Sequence, residues 1–140
     1  MSDYSEYVTD IVHEPTQTGG AGFDLTVADV YEVVAPGRID FGGGELEAAE
    51  TVPHSREKRD PDDDYEWWSL GAGQYLLAFN ESLTGDATVT VQPRTELLER
   101  GATHPTLHVE ALPRVPLSVG GAGLKLKENA RVSTIVDAER

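Results

Sequence analysis

Four short stretches of this chain hold residue types that can do chemistry. In Ala21-Gly22-Phe23-Asp24-Leu25, a turn of Gly19-Gly20-Ala21-Gly22 feeds an acid into an apolar run. Such a turn lets backbone approach a ligand closely, and the acid can be aimed at a metal or a water. The competing reading is a plain turn with a surface aspartate. A Walker-type phosphate loop is excluded, because no Lys-Ser/Thr follows and a strand comes next instead of a helix. In Pro93-Arg94-Thr95-Glu96-Leu97-Leu98-Glu99-Arg100-Gly101 a strand gives way to a short helix. Arg94 offers a bidentate charge, Thr95 a hydroxyl and the helix start free N–H groups, a set suited to phosphate. Equally, Thr95 can be an ordinary cap and Arg94 half of a surface ion pair. His104 and His108 have the spacing of paired metal ligands on a helix, but Pro105 and Leu107-His108-Val109 oppose a helix there, so ligation is the weaker reading. Glu110 beside them can act as a general base if half buried, or be the polar side of an alternating strand. Asp62-Asp63-Asp64 can bind a divalent cation, but in a Pro-flanked acidic loop solvation is the stronger reading. His13 and His54 lie in polar stretches and are expected to be solvated.

The elements that must position these residues read as strands. Residues 23–33 are rich in β-branched and aromatic types and alternate. Residues 65–70, 74–79, 86–92, 107–110, 115–119, 124–126 and 130–136 continue the pattern. Gly42-Gly43-Gly44 is a hairpin turn between Arg38-Ile39-Asp40-Phe41 and Glu45-Leu46, and residues 53–64 form a polar exposed loop. Residues 15–22 are turn-rich. Residues 93–99 are the only expected helix, with Thr95 as its cap and Gly101 as its terminator. Short strands at roughly 8–12-residue spacing, punctuated by Gly and Pro, argue an all-β sandwich or barrel. The first fourteen residues read as an N-terminal extension, either loose or a strand swapped between subunits, before one domain over 15–140.

At 140 residues the chain has the size of one domain. With no cysteine, it can have no disulfide framework, Cys-zinc site or thiol nucleophile. Apolar runs fall far short of the roughly 20 residues that span a bilayer. The acidic start Met1-Ser2-Asp3-Tyr4-Ser5-Glu6 lacks a signal-peptide pattern, so a soluble cytoplasmic protein without membrane partners is expected. Twenty-five acids against eleven bases give a net charge of −14, and only Lys58, Lys125 and Lys127 are lysines. A field of that sign repels phosphate backbones and argues against a nucleic-acid polymer as partner. The excess can serve a basic partner. Its spread over nearly every segment favours the surface of a protein from salt-loving cells, where molar salt screens self-repulsion.

Taken in order, Ala21-Gly22-Phe23-Asp24-Leu25, Gly73-Gln74-Tyr75-Leu76-Leu77 with Glu81, Pro93-Arg94-Thr95-Glu96-Leu97 and Ala130-Arg131-Val132-Ser133-Thr134-Ile135-Val136 resemble the dUTPase and dCTP deaminase superfamily. The resemblance is closest to short acidic dUTPase-like members of haloarchaea, and runs from about Pro15 to Val136. It implies a distorted, jelly-roll-like β-barrel with one short helix, assembled as a homotrimer with active sites between subunits. It also implies a deoxynucleoside triphosphate, dUTP or dCTP, as ligand and Mg²⁺ as cofactor, with no protein-held metal site assigned. Asp24, Arg94, Thr95 and Arg131 fall at substrate-binding positions, with Arg94 and Thr95 toward the phosphates. Glu110 falls nearest the catalytic Asp that activates water for attack on the α-phosphorus. Several departures accompany this. Glu96 stands where a small residue faces phosphate, the third-motif stretch 106–115 is shortened and lacks its Tyr-containing turn, and Thr134 replaces a Gln. Ser118 or Val119 stands where deaminases need a Glu, and no Gly-rich C-terminal arm precedes Arg140. The resemblance therefore leaves three functions open: a dUTP diphosphatase weakened at Glu110, a non-catalytic nucleotide- or protein-binding relative, and a dCTP deaminase.

Overall fold

The computed structural model describes residues 3–140. After a 3₁₀ turn at Tyr4–Tyr7 come β1 (Val8–Thr9), α1 (Glu14–Gln17), β2 (Phe23–Ala35), β3 (Glu50–Pro53), β4 (Trp67–Leu70) and β5 (Gly73–Phe79). Then follow β6 (Ser82–Leu83), β7 (Thr88–Pro93), α2 (Thr95–Glu99), β8 (Ala102–Thr103), β9 (Leu107–Val109), β10 (Val115–Val119), β11 (Leu124–Lys127) and β12 (Arg131–Glu139). Eight strands make one curled antiparallel sheet, a half-barrel ordered β8-β10-β5-β2-β12-β7-β9, with β3 paired to the far end of β2. β1 pairs with β6 and β11 with β4 as two-stranded ribbons.

β2 is the pivot. Its first residues pair with β12, its middle with β5 and its end with β3. Its opening is buried on both faces from Phe23 to Val27: the residue types alternate, but the polar Asp24 and Thr26 are buried along with the apolar residues. Two apolar clusters form along the sheet. One holds Val27, Val30, Trp68, Leu77, Val115 and Leu117; the other holds Phe23, Leu25, Val89, Val91 and Ile135. Phe79 and Leu107 pack against both. Each such buried side chain contributes about 1.5–3 kcal/mol relative to exposure. Trp68 is fully buried beneath the Arg56 guanidinium, while half-buried Trp67 lies under Arg59 at 4.1 Å.

The all-β expectation holds, with a correction to the helix count: among the described residues two short α-helices are present, not one. α1 has Pro15 in its first turn, where a missing N–H is harmless. It has no apolar periodicity to announce it, and Gln17 is its buried residue. The α2 cap is also corrected: Arg94 occupies the N-cap with no side-chain capping bond, and Thr95 is the first helical residue. At the 42–44 turn, the arms meet through one bridge, Arg38 with Glu47, and Asp40 Oδ1 and Oδ2 accept from the amides of Gly43 and Glu45. In the N-terminal segment, β1 pairs within its own chain and the Tyr4 hydroxyl donates to Val136 O. The expectation for the first fourteen residues also covers Met1 and Ser2, which lie outside the described residues. Among the described residues no helix is long and apolar enough to cross a membrane.

Candidate functional site

An open cleft of about 740 Å³ lies where the start of β2, the start of β12 and the end of β7 meet. Its far wall is the glycine-rich segment after α1. Gly22 is required there, because a Cβ would collide with the Ile135 carbonyl and lie 2.7 Å from the Thr134 methyl. The close approach of this turn to β12 sets the cleft's floor.

Asp24 sits in that floor, 6% exposed. Its Oδ1 accepts from Thr134 Oγ1 at 2.8 Å and its Oδ2 from Arg131 Nη1 at 3.1 Å. Arg94 Nε lies 3.6 Å from the same Oδ2. Arg94 also donates through Nη1 to the Arg131 carbonyl at 3.2 Å and through Nη2 to Glu96 Oε2 at 3.2 Å. Arg131 donates in addition to the Thr16 carbonyl at 3.4 Å. Thr134 is directly opposite Asp24 in the β2–β12 register. Arg131 joins it through an irregularity in β12 between Arg131 and Ser133, which turns Val132 and Ser133 both inward. Residues 131 and 134 thereby share a face that regular alternation would deny them. A carboxylate this buried is tolerable because cations pair with it. Two guanidiniums face Asp24 and Glu96, and Glu96 is exposed enough to swing away, leaving one net positive charge for an anion.

Behind the cleft lie two buried titratable groups. Glu81 accepts from Gln17 Nε2 at 2.8 Å, from the Thr26 amide at 2.9 Å and from the Thr26 hydroxyl at 2.5 Å. Burial pushes its carboxyl above the ordinary value, and those bonds oppose the rise. His104 Nδ1 donates to the Pro105 carbonyl at 2.8 Å, which leaves Nε2 to accept from Ser133 Oγ at 2.6 Å. Burial lowers its pKa, opposed by the Pro105 bond.

Of the residues singled out above, the fold brings together Asp24, Arg94, Thr95, Arg131 and Thr134 along one cleft. It leaves Glu110 out: this residue is exposed on the bend after β9 and does not line the cleft. His108 is exposed and contacts Thr90 Oγ1, so the two histidines do not converge on an ion. Both Asp24 oxygens are already engaged, and among the described residues no cluster of His, Asp or Glu could hold a metal. Gln17, and the burial of Glu81 and His104, escape a local reading, since single polar residues carry no mark of burial.

No family model matches the chain. It is similar to proteins named probable deoxyuridine 5′-triphosphate nucleotidohydrolase. That of Archaeoglobus fulgidus is 31% identical over 136 residues, covering 92% of this chain and 76% of the relative. That of Methanosarcina acetivorans is 29% identical over 128 residues, covering 86% and 71%. A third, from Methanosarcina mazei, is 27% identical over 132 residues, covering 89% and 74%. Among solved structures, the 2′-deoxycytidine 5′-triphosphate deaminase of Agrobacterium tumefaciens superposes with a TM-score of 0.57 at 15% identity. That match covers 94% of this chain but only 43% of the deaminase, and it speaks for the fold.

Proposed function

This chain belongs to the dUTPase and dCTP deaminase superfamily, and on that premise we propose that the Asp24 cleft binds the triphosphate of a deoxynucleotide and that the protein hydrolyses dUTP to dUMP and pyrophosphate. The observation that carries the reading is the convergence of Arg94 and Arg131 on one buried carboxylate, in a chain whose net charge is −14. Guanidiniums held in place by Asp24 present donors to phosphate without reorganising. Thr95 adds its hydroxyl, and the first amides of α2 lack intrahelical acceptors. Mg²⁺, brought on the phosphate oxygens of the substrate, would screen their charge; Arg94, Arg131 and Thr95 hold and orient the phosphates.

In this reading Glu110 takes a proton from the water that attacks the α-phosphorus, and pyrophosphate leaves. Because Glu110 lies outside its own protomer's cleft, a neighbouring copy must deliver it, as in a homotrimer with sites between subunits. Glu carries one methylene more than Asp, and a displacement of about 1 Å can lower the rate ~10²-fold, so a slow enzyme is expected. A second reading, a nucleotide-binding relative without catalysis, is favoured by the exposure of Glu110 and by the Glu96 pair on Arg94. Deamination of dCTP ranks third, since Ser118, at the region of the deaminase Glu, is bonded to Gln74 Oε1.

Melting scans with dUTP, dCTP and dUMP, joined to assays of pyrophosphate and ammonia release in MgCl₂ and molar KCl, separate the three. A ligand at 100 times its Kd adds about 2.7 kcal/mol of stability. The expected result is a shift with dUTP and pyrophosphate release that falls about 10²-fold in Glu110→Gln. Equal rates in both proteins remove Glu110 from the mechanism, and a shift without turnover supports the binding protein.

A further inference from the structure

We infer that Gln17 and Glu81 are a positioning pair for the cleft, a buried amide and carboxyl that pin the glycine-rich wall to β2 and so fix the Thr16 carbonyl beneath Arg131. The role in binding rests on the triphosphate reading of the cleft; the pinning of the wall does not. From Val12 to Gly20, Gln17 is the one buried residue, at 1% exposure. The wall is thus held by a polar side chain where an apolar one would serve if anchoring alone were needed. Every polar atom of that side chain is used. Gln17 Oε1 accepts from the His13 amide at 2.7 Å, and Nε2 donates to the Asp24 carbonyl at 2.9 Å and to Glu81 Oε2 at 2.8 Å.

The His13 N–H can only donate, which fixes which end of the Gln17 amide is oxygen. Glu81 is in turn held by the Thr26 amide and hydroxyl, two residues along β2 from Asp24. Arg131 therefore touches the two ends of one strut. Its Nη1 reaches the carboxylate of Asp24, whose carbonyl receives Gln17, and the carbonyl of Thr16, the neighbour of Gln17. A hydrogen bond is directional, so this strut sets the wall's register on β2 more narrowly than apolar contact would. Arg131 lies at the cleft's open edge, where a small shift of the wall would move its guanidinium relative to a bound phosphate.

The test compares wild type with Gln17→Met, which keeps side-chain length and removes the polar atoms. Two quantities are read: hydrogen exchange of the amides of residues 14 and 16–22, and the KM and kcat of dUTP hydrolysis (the Kd if turnover is absent). Exchange in that segment is expected to quicken about tenfold or more with the rest of the sheet unchanged, and KM or Kd to rise about tenfold while kcat changes less than about twofold. Glu81→Gln, which sets a second NH₂ against that of Gln17, is expected to move both readouts the same way. The double variant should be little worse than the poorer single one, because both belong to one network. Should Gln17→Met fail to fold, Gln17→Asn, which draws the amide back, gives the same comparison. Wild-type exchange and KM in these variants overturn the inference, and so does faster exchange spread evenly over the sheet. If wild-type protein neither binds nor hydrolyses dUTP, the reading of the cleft fails, and the exchange pattern alone decides whether the wall is pinned.

Discussion

The start of β2 and the bend after β9 each present a carboxylate, and the fold treats them in opposite ways. Asp24 is buried, with both oxygens bonded and two guanidiniums against it. Glu110 is exposed, and among the described residues no hydrogen bond or ion pair of the chain holds it. One region is organised before any ligand arrives; the other has its chemistry but no fixed place. On the proposed function, the residues that would bind phosphate are thus already assembled and the residue that would activate water is not. Affinity and turnover should therefore respond to different residues.

The largest break in that contrast is expected from Asp24→Ala. Two guanidiniums lose their carboxylate in a partly buried place, and removing one partner of a buried pair typically costs about 3–5 kcal/mol. Arg131 keeps solvent access, so the lower end, about 3 kcal/mol, is expected in denaturant unfolding, together with loss of any nucleotide-induced shift. A change below about 0.5 kcal/mol, the size usual for a plain surface residue such as Glu110, would erase the distinction between the two regions. Arg94→Lys sharpens it. The charge stays but the planar fork is lost, so nucleotide affinity is expected to fall about tenfold with turnover of saturated protein little changed. A fall in kcat alone would move Arg94 from binding to chemistry.

The smallest expected effect is in the pH dependence of stability, and it arises behind the cleft. The folded pKa of His104 lies below its ordinary 6.5, so between the two values the unfolded chain binds more protons. Stability then falls as pH drops from 6.5 through the folded pKa. Glu81 works oppositely: its folded pKa lies above the ordinary 4.5, so stability falls as pH rises from 4.5 through the folded value. Melting curves across this range for His104→Gln and Glu81→Gln should each lose one limb. An unchanged acid limb in His104→Gln would show that the burial of His104 carries no linkage.

Much of the sheet was legible because β-branched alternation and Gly or Pro punctuation mark β2, β5, β7, β10, β11 and β12 locally. The α2 segment was legible from its helix formers and Gly101. β3 was not, being a mostly exposed strand that forms only because β2 runs on to Ala35 and offers it an edge. α1 was not, because its one buried side chain, Gln17, is polar and is held by the Asp24 carbonyl and by Glu81, the latter 64 residues away. At the cleft, Asp24 and Arg94 stand out through their turn and strand-end settings, and the ordered motifs added Arg131. The sharing of one face by Arg131 and Thr134 depends on a strand irregularity, which residue types do not announce. Glu110 could be named but not located against the cleft, since nothing in the residue types around it tells that the bend after β9 turns it to solvent away from that cleft.

Trp67 and Trp68 are neighbours on β4, and neither lines the cleft. Both indoles are stationed on the β4–β11 ribbon, one sealed in the core and the other capped by Arg59. Intrinsic emission from this protein is thus a gauge of whether that ribbon stays closed, blind to a molecule settling beside Asp24. Following such a molecule by fluorescence calls for an introduced reporter near the glycine turn, or for a label on the nucleotide itself.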